Sequence, residues 1–495
     1  MADYDLAIVG GGINGAGIAR EAAGRGLRTI LLEQHDLGSG TSSASTKLIH
    51  GGLRYLERGA FHLVREALSE REILLRMAPH IVRPMRFVLP AVPGPRPPWM
   101  LRFGLFLYDW LGARKLLPPT QTINLANDVA GRALTRKFRL GFEYSDCWVD
   151  DSRLVILNAL DAAERGAAVR TRTRLVRAER EDAWRLILRG GGGREVVTAS
   201  VLVNAAGPWV GIVAETVLRL EGKPPLRLVK GSHIVVPKLF DHGRGYIFQN
   251  SEKRIVFALP FETDFTLIGT TNIEFSGDLD AVAPSSEEVV YLCRSASEFF
   301  SERVDPDHVV WAFAGVRSLY DDGAGRPEDV TRDYKLKVDR RRDYAPLLTV
   351  FGGKITTHRR LAEDTLDKLA RFLPAPRRWR STTRLPGGDF RWDEIEDRVA
   401  RARSTWRFLD EREAWRLFRA YGTRIERMLG DARQREDIGP FFGPLSAAEV
   451  RYLMHYEWAR NADDVLWRRT KLGLKLAAGE KQALTRFMAE CGIGG

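Results

Sequence analysis

Gly10-Gly11-Gly12-Ile13-Asn14-Gly15 stands directly after the apolar run Leu6-Ala7-Ile8-Val9 and opens a stretch of small residues. Glycines in this pattern suit the binding of a pyrophosphate. Gly10 permits a tight turn, Gly12 lets the backbone approach the phosphates, and Gly15 with Ala19 lets the following helix pack closely on its sheet. The N-terminus of that helix, with Asn14 in its first turn, presents amides and a positive dipole to an anion. Glu33 ends the next apolar run, Thr29-Ile30-Leu31-Leu32, where a carboxylate accepts hydrogen bonds from ribose hydroxyls. Strand, glycine turn, helix, strand and acid together specify a dinucleotide site. The hydroxyl-rich run Thr41-Ser42-Ser43-Ala44-Ser45-Thr46-Lys47 adds donors for phosphates and for the edge of a flavin, which favours FAD over NAD. On composition alone the same run also reads as a solvated Ser/Thr loop.

These residues need elements to hold them. The two apolar runs read as strands buried on both faces, joined by a helix into a βαβ unit. Arg170 to Arg177 and Trp184 to Leu188 read as strands, and Gly190 to Gly193 as a hairpin or loop. Val201-Leu202-Val203 looks like a late return to the first sheet, ending in Asn204-Ala205-Ala206-Gly207-Pro208-Trp209. From about Leu226 to Val316, runs such as His233-Ile234-Val235-Val236 and Phe265-Thr266-Leu267-Ile268 predict an antiparallel sheet. Beyond Leu385-Pro386-Gly387-Gly388 the spacing of Phe418, Tyr421, Ile425, Met428 and Leu429 turns helical, and Ser446 with Glu449 predicts a capping box.

A chain of 495 residues implies two or three domains, and its net charge of +12 suggests an anionic partner. The charge is spread through the chain without a recognised nucleic-acid module, so no nucleic-acid partner is expected. Cys147, Cys293 and Cys491 are too far apart for a metal-type pair or a disulfide framework, so no metal is expected and the setting reads as cytoplasmic. Met1 leads into a strand without a basic leader, and the most apolar window, Trp99 to Leu117, is broken by Arg102, Asp109 and Arg114. Neither a signal peptide nor a membrane span is expected. The aromatic stretch Trp99 to Trp110 suits a membrane interface or a buried amphipathic helix equally well.

The segment His50-Gly51-Gly52-Leu53-Arg54-Tyr55-Leu56 resembles the FAD-dependent sn-glycerol-3-phosphate dehydrogenases of respiratory chains. The resemblance continues through Phe142 to Asp151, Asn204 to Trp209, Lys230-Gly231-Ser232-His233, Gly269-Thr270-Thr271, Gly315-Val316-Arg317, Phe351-Gly352-Gly353-Lys354 and Asp464 to Lys471, nearly the whole chain. It departs at Asn272, Ser318 and His358, where aspartate, proline and tyrosine are usual. The resemblance implies an α/β fold with three parts. A Rossmann-like FAD-binding domain of the glutathione-reductase/D-amino-acid-oxidase type takes residues 1–80, 145–215 and 333–385. An antiparallel-sheet substrate domain takes 81–144 and 216–332, and a C-terminal α-helical domain takes 386–495.

The implied reaction is oxidation of glycerol 3-phosphate to dihydroxyacetone phosphate, with electrons passing to a membrane quinone at the cytoplasmic face of the membrane. An oxidase of the same fold, giving hydrogen peroxide, is the alternative, and a homodimer stays open. FAD would be held by Gly10, Gly12, Asn14, Gly15, Glu33, Thr41, Ser42, Ser43, Lys47, His50, Gly51, Gly207, Gly353 and Lys354. Arg54, Arg317, Arg332 and Lys354 are the cations for the phosphate, with Tyr55 and Thr270 orienting the substrate. His233 is expected to take the hydroxyl proton, with Arg317 and Lys354 in the catalytic set. Taken singly, each arginine reads as a surface charge and His233 as a core histidine.

Overall fold

In the computed structural model, which describes residues 2–53, 56, 59–91, 97–112, 116–222, 225–250, 252, 254–321, 333–340 and 343–492, the apolar runs assemble two large sheets. The first orders its strands Lys335–Asp339, Leu347–Phe351, Gly193–Asn204, Tyr4–Val9, Thr29–Leu32 and Ala168–Arg170. All pairs are parallel except the first, so Leu6, Ala7 and Ile8 are buried on both faces, as their continuous apolar run requires. Gly190 and Gly193 close the antiparallel hairpin that Trp184–Gly190 makes with Gly193–Asn204. Up to residue 370 the main helices are α1 (Ile13–Gly24), α2 (Phe61–Met77), α3 (Pro98–Leu111), α4 (Asp151–Glu164), α5 (Ser286–Ser297) and α6 (His358–Leu369). Ile18, Ala19, Leu154, Ile156, Leu361 and Leu366 join α1, α4 and α6 over the first sheet in one core.

The second sheet is antiparallel apart from one pair, Gly245–Gln249 with Val82–Pro90. It takes in Leu48–Ile49, Gln121–Asn124 and Leu140–Val149 as well as the expected strands between Leu226 and Tyr320. Because Leu140–Val149 runs unbroken in this sheet, we propose that the chain crosses back to the first sheet at Asp150, not at 145. One segment of the strand-rich region is helical. In α5, Leu292, Cys293 and Ala296 fall at helical spacing and pack on Ile234, Val236 and Phe248. Ser285 and Glu288 cap it reciprocally.

The C-terminal domain is helical, with α7 (Ile395–Thr405), α8 (Glu411–Tyr421), α9 (Ala447–Tyr456) and α10 (Ala478–Glu490). Phe418, Tyr421, Ile425, Met428 and Leu429 are all in its core. The capping box expected at α9 is half made. Ser446 accepts from the Glu449 amide, but the Glu449 carboxylate is held by both terminal nitrogens of Arg416 at 2.7 Å and by Tyr421 at 2.7 Å. Buried ion pairs join this domain to the first sheet: Arg153 of α4 with Glu457, and Arg469 with Asp36. Arg153 and Glu457 are almost completely inaccessible, and Nη2 lies 2.9 Å from Oε1. Arg153→Met would leave a carboxylate buried without its counter-charge, costing roughly 3–5 kcal/mol. Chemical denaturation should show a markedly lower midpoint, and an unchanged midpoint would mean that the interface does not depend on this pair.

Candidate functional site

A cavity of about 810 Å³ runs past the carboxyl ends of the first sheet's strands, lined there by Val9, Gly10, Leu32, Glu33, Ala205 and Gly352. Ligands of open parallel sheets bind at this edge. Gly10 has φ +110°, and a Cβ on it would lie 2.5 Å from the Ala205 carbonyl oxygen, so only glycine lets the two strand ends come together. Gly15 does not line the cavity. A Cβ there would fall 1.8 Å from the Gly10 carbonyl oxygen, so its part is the close packing of α1 on the turn. α1 starts with neither a capping side chain of its N-cap residue nor an acid in its first turn, leaving its positive end toward the cavity. Glu33 accepts from the amides of Gly11 at 2.7 Å and His35 at 2.8 Å, while burial pushes its carboxyl above the ordinary range. Asn14 donates to the Gly352 carbonyl at 3.0 Å, and its buried Oδ1 has no partner. Beyond Glu33 the cavity continues past His35, Thr173 and Arg174, which no spacing in the sequence singles out. A cleft that runs from the N-terminus of α1 past the Glu33 carboxylate offers the amides and the acceptor that FAD requires.

The Ser/Thr loop divides its labour. Thr41, Ser42, Ser45 and Thr46 line the cavity, and Ser42 Oγ accepts from the Ile13 amide at 3.0 Å. Lys47 and Ser43, expected at the cofactor, do not line it. Lys47 has φ 61° and is fully buried, its Nζ 2.8 Å from Asp151 Oδ1 and 3.0 Å from the Ser43 carbonyl. Asp151 Oδ2 in turn accepts from Ser45 Oγ at 2.8 Å and from its amide at 3.1 Å. Gly51, another expected cofactor contact, also turns away, giving its amide to the Tyr108 hydroxyl at 2.8 Å.

Arg317, Lys354, Thr270, His50, Gly207 and Gly353 all line the same cavity. Gly231 brings Arg317 and Thr270 together, since a Cβ there would lie 2.8 Å from Arg317 Nη2 and 2.8 Å from Thr270 Oγ1. Behind them Glu288 gathers Lys230 at 2.7 Å, Ser232 at 2.8 Å and Thr271 at 3.0 Å. Burial pushes the Glu288 carboxyl up, but these bonds and the Ser285 amide outweigh it and hold it below the ordinary range. Arg54, Tyr55 and Arg332 lie outside the described residues.

His233 departs from expectation. Its imidazole is wholly buried, stacked on Phe313 and absent from the cavity wall. Nε2 lies 2.9 Å from Thr46 Oγ1, and Nδ1 has no partner. Burial, then the charges of Arg317 and Lys47, hold it well below the ordinary histidine pKa. His50, beside Phe257, does line the cavity, as His35 does beyond Glu33.

The three unusual residues are spread through the structure. Asn272 Oδ1 accepts from Arg317 Nη1 at 3.3 Å, and Ser318 sits in the strand Trp311–Tyr320 at the cavity wall. His358 is buried at the start of α6, with Nδ1 2.8 Å from the Ile355 carbonyl and Nε2 unpartnered. Burial is the main cause that takes it from 6.5 down to about 4. Between those values the unfolded chain binds a proton that the native state refuses, so stability falls as pH falls through this window. The loss reaches about 3 kcal/mol at pH 4. His358→Phe should flatten this part of the curve of unfolding free energy against pH, and an unaltered slope would contradict it.

Residues 5–345 match the FAD dependent oxidoreductase family, and residues 381–492 match the C-terminal domain of alpha-glycerophosphate oxidase. A glycerol-3-phosphate dehydrogenase of Pseudomonas aeruginosa is 48% identical, over 98% of this chain and 95% of its own. A D-erythritol 1-phosphate dehydrogenase of Brucella abortus is 47% identical, over 98% and 97%. The crystal structure of the glycerol-3-phosphate dehydrogenase from Bacillus halodurans complexed with FAD is 25% identical, with TM-score 0.76 over 99% of this chain and 94% of that one.

Proposed function

The chain belongs to the FAD-dependent oxidoreductase family, and from that premise we propose that it oxidises sn-glycerol 3-phosphate to dihydroxyacetone phosphate and delivers the electrons to a membrane quinone. When bound, FAD supplies the acceptor for the hydride that leaves C2. The observation that carries the reading is that Arg317, on the second sheet, and Lys354, just after a strand of the first, both line the wall of the cofactor cavity. A phosphate dianion calls for such a pair. A guanidinium takes two of its oxygens at once and an ammonium adds a point charge. Arg54, Tyr55 and Arg332 stay in the proposal through the resemblance alone.

Removing the hydroxyl proton needs an acceptor at the cavity wall. We assign this to His50, with Thr270 orienting the hydroxyl and His233 holding Thr46 in place from behind. Anaerobic mixing with glycerol 3-phosphate should bleach the flavin absorbance, and failure to do so refutes the substrate. His50→Asn should slow that reduction by about 10²-fold or more with FAD content retained. His233→Asn should cost less, and the reverse order would return the proton to His233.

The Brucella relative supports a second reading, a four-carbon polyol phosphate as substrate. Comparing kcat/KM on glycerol 3-phosphate and D-erythritol 1-phosphate separates the two. The C-terminal family match keeps oxygen in view as acceptor, and stopped-flow reoxidation by oxygen and by a quinone decides that point.

Among the described residues no helix is long and apolar enough to cross a membrane. α3 is apolar on two sides. Leu105 and Tyr108 face the core, while Trp99 is 70% exposed and Trp110 71%, with Phe103 and Phe106 on the same outer stripe. A helix with an exposed apolar stripe opposite its core-facing side suits a nonaqueous phase on that stripe, which supports peripheral attachment at the membrane interface. Replacing Trp99, Phe103 and Trp110 with serine should move the protein from the membrane pellet to the supernatant with dye-linked activity retained. A triple variant still in the pellet would exclude α3 as the anchor.

A further inference from the structure

We propose that residues 371–384, the strap leading from α6 to the C-terminal domain, form a contact surface for the anionic phosphate headgroups of a lipid bilayer. The strap holds Arg371, Arg377, Arg378, Arg380 and Arg384, all exposed, and no aspartate or glutamate. None of these guanidinium groups is in an ion pair among the described residues. The arginines directly beneath are neutralised: Arg20 and Arg165 by Asp161, Arg25 by Glu21, and Arg28 by Asp5. Unpaired charge is therefore confined to the outer layer.

The strap is clamped. Trp379 donates its indole N–H to Glu21 at 2.8 Å, and its ring lies so close to Gly24 that a Cβ there would fall 2.4 Å from it. The Arg377 amide donates to the Arg25 carbonyl at 2.8 Å, and Arg20 donates to the carbonyls of Ser381 and Thr383, each at 2.7 Å. The backbone is thus fixed while the arginines stay exposed, with Arg377 lying along Gly26 and Arg371 over the Phe372 ring, which lowers the entropic cost of holding them against a surface. The strap packs on the C-terminal end of α1, and that helix has 12 residues. Its contacts on α1 begin at Arg20, seven residues beyond Ile13, so about 10 Å of helix separates it from the cofactor turn, and none of its arginines lines the cofactor cavity.

Its neighbours lead to the exposed helix. Ser381 Oγ accepts from Arg359 of α6 at 2.6 Å, Arg359 pairs with Glu70 of α2, and Leu68 of α2 packs where α3 ends at Gly112. A polybasic strip and an exposed apolar helix, linked through α6 and α2, are the two kinds of signal that stable peripheral attachment needs. The inference rests on the membrane reading above.

The test uses the full-length, FAD-loaded protein with vesicles of phosphatidylcholine alone or with roughly 30% phosphatidylglycerol, enough to make the surface anionic. The native protein should bind the anionic vesicles about tenfold more tightly or better, a preference that added salt removes. The variant R371Q/R377Q/R378Q/R380Q/R384Q should bind both vesicles alike, with unchanged thermal stability and dye-linked activity. A variant that keeps the preference overturns the proposal. Equal binding of both vesicles by the native protein also overturns it while leaving membrane attachment standing, and binding to neither removes both. Strap-dependent capture of a DNA duplex without vesicle preference would assign the surface to nucleic acid and overturn the lipid assignment.

Discussion

The buried pair of Lys47 and Asp151 is the constraint on which the cavity depends. Side chains this inaccessible, 1% and 0% exposed, lose hydration that their mutual attraction only roughly restores, so the pair adds little net stability. Its contribution is direction. Each group has valences left after pairing, and Ser45 and Ser43 take them, which gives the loop from Thr41 to Thr46 one shape. Thr41 then reaches the Val316 carbonyl at 2.5 Å and Thr46 reaches His233, so the loop that faces the cofactor is tied to the second sheet. The C-terminal domain meets the same corner, where Lys471 lies 2.6 Å from Ser152 Oγ, beside Asp151.

The two sheets do different work at this junction. The parallel sheet ends in turns whose backbone amides and lack of side chains suit a long anionic cofactor. The antiparallel sheet brings side chains, and it holds them through a carboxylate, Glu288, standing on α5. Arg317 stands on a strand of that sheet and Lys354 follows the last strand of the other, so both halves contribute a cation to the cavity wall.

Features that depend on backbone geometry were legible in the residues. The strand, turn, helix and acid from Leu6 to Glu33, the return at Val201, and the glycines at 207 and 353 all lie where their types require. Features that depend on the direction of a side chain were not. Lys47 sits in a hydroxyl-rich run and reads as a donor to phosphate, yet a left-handed backbone turns it inward to a carboxylate about a hundred residues away, at Asp151. His233 starts an apolar strand, and only the packed sheet shows that Thr46 stands over it. α5 was hidden because its buried residues are few and its neighbours are strands, although Ser285 and Glu288 carried the signal of its start.

The hydrogen bond from Asn14 to the Gly352 carbonyl spans a sequence separation of 338 residues. In the sheet, too, the strand Tyr4–Val9 lies next to Gly193–Asn204, which lies next to Leu347–Phe351. During synthesis the glycine turn leaves the ribosome well before these partners. The emerging chain can pair its first strand with Thr29–Leu32 early, but the other edge of that strand stays open until Gly193–Asn204 has been made, exposed to aggregation and to chaperones. The cofactor cleft, whose wall includes Gly352 and Gly353, is correspondingly complete only once this late stretch has been made.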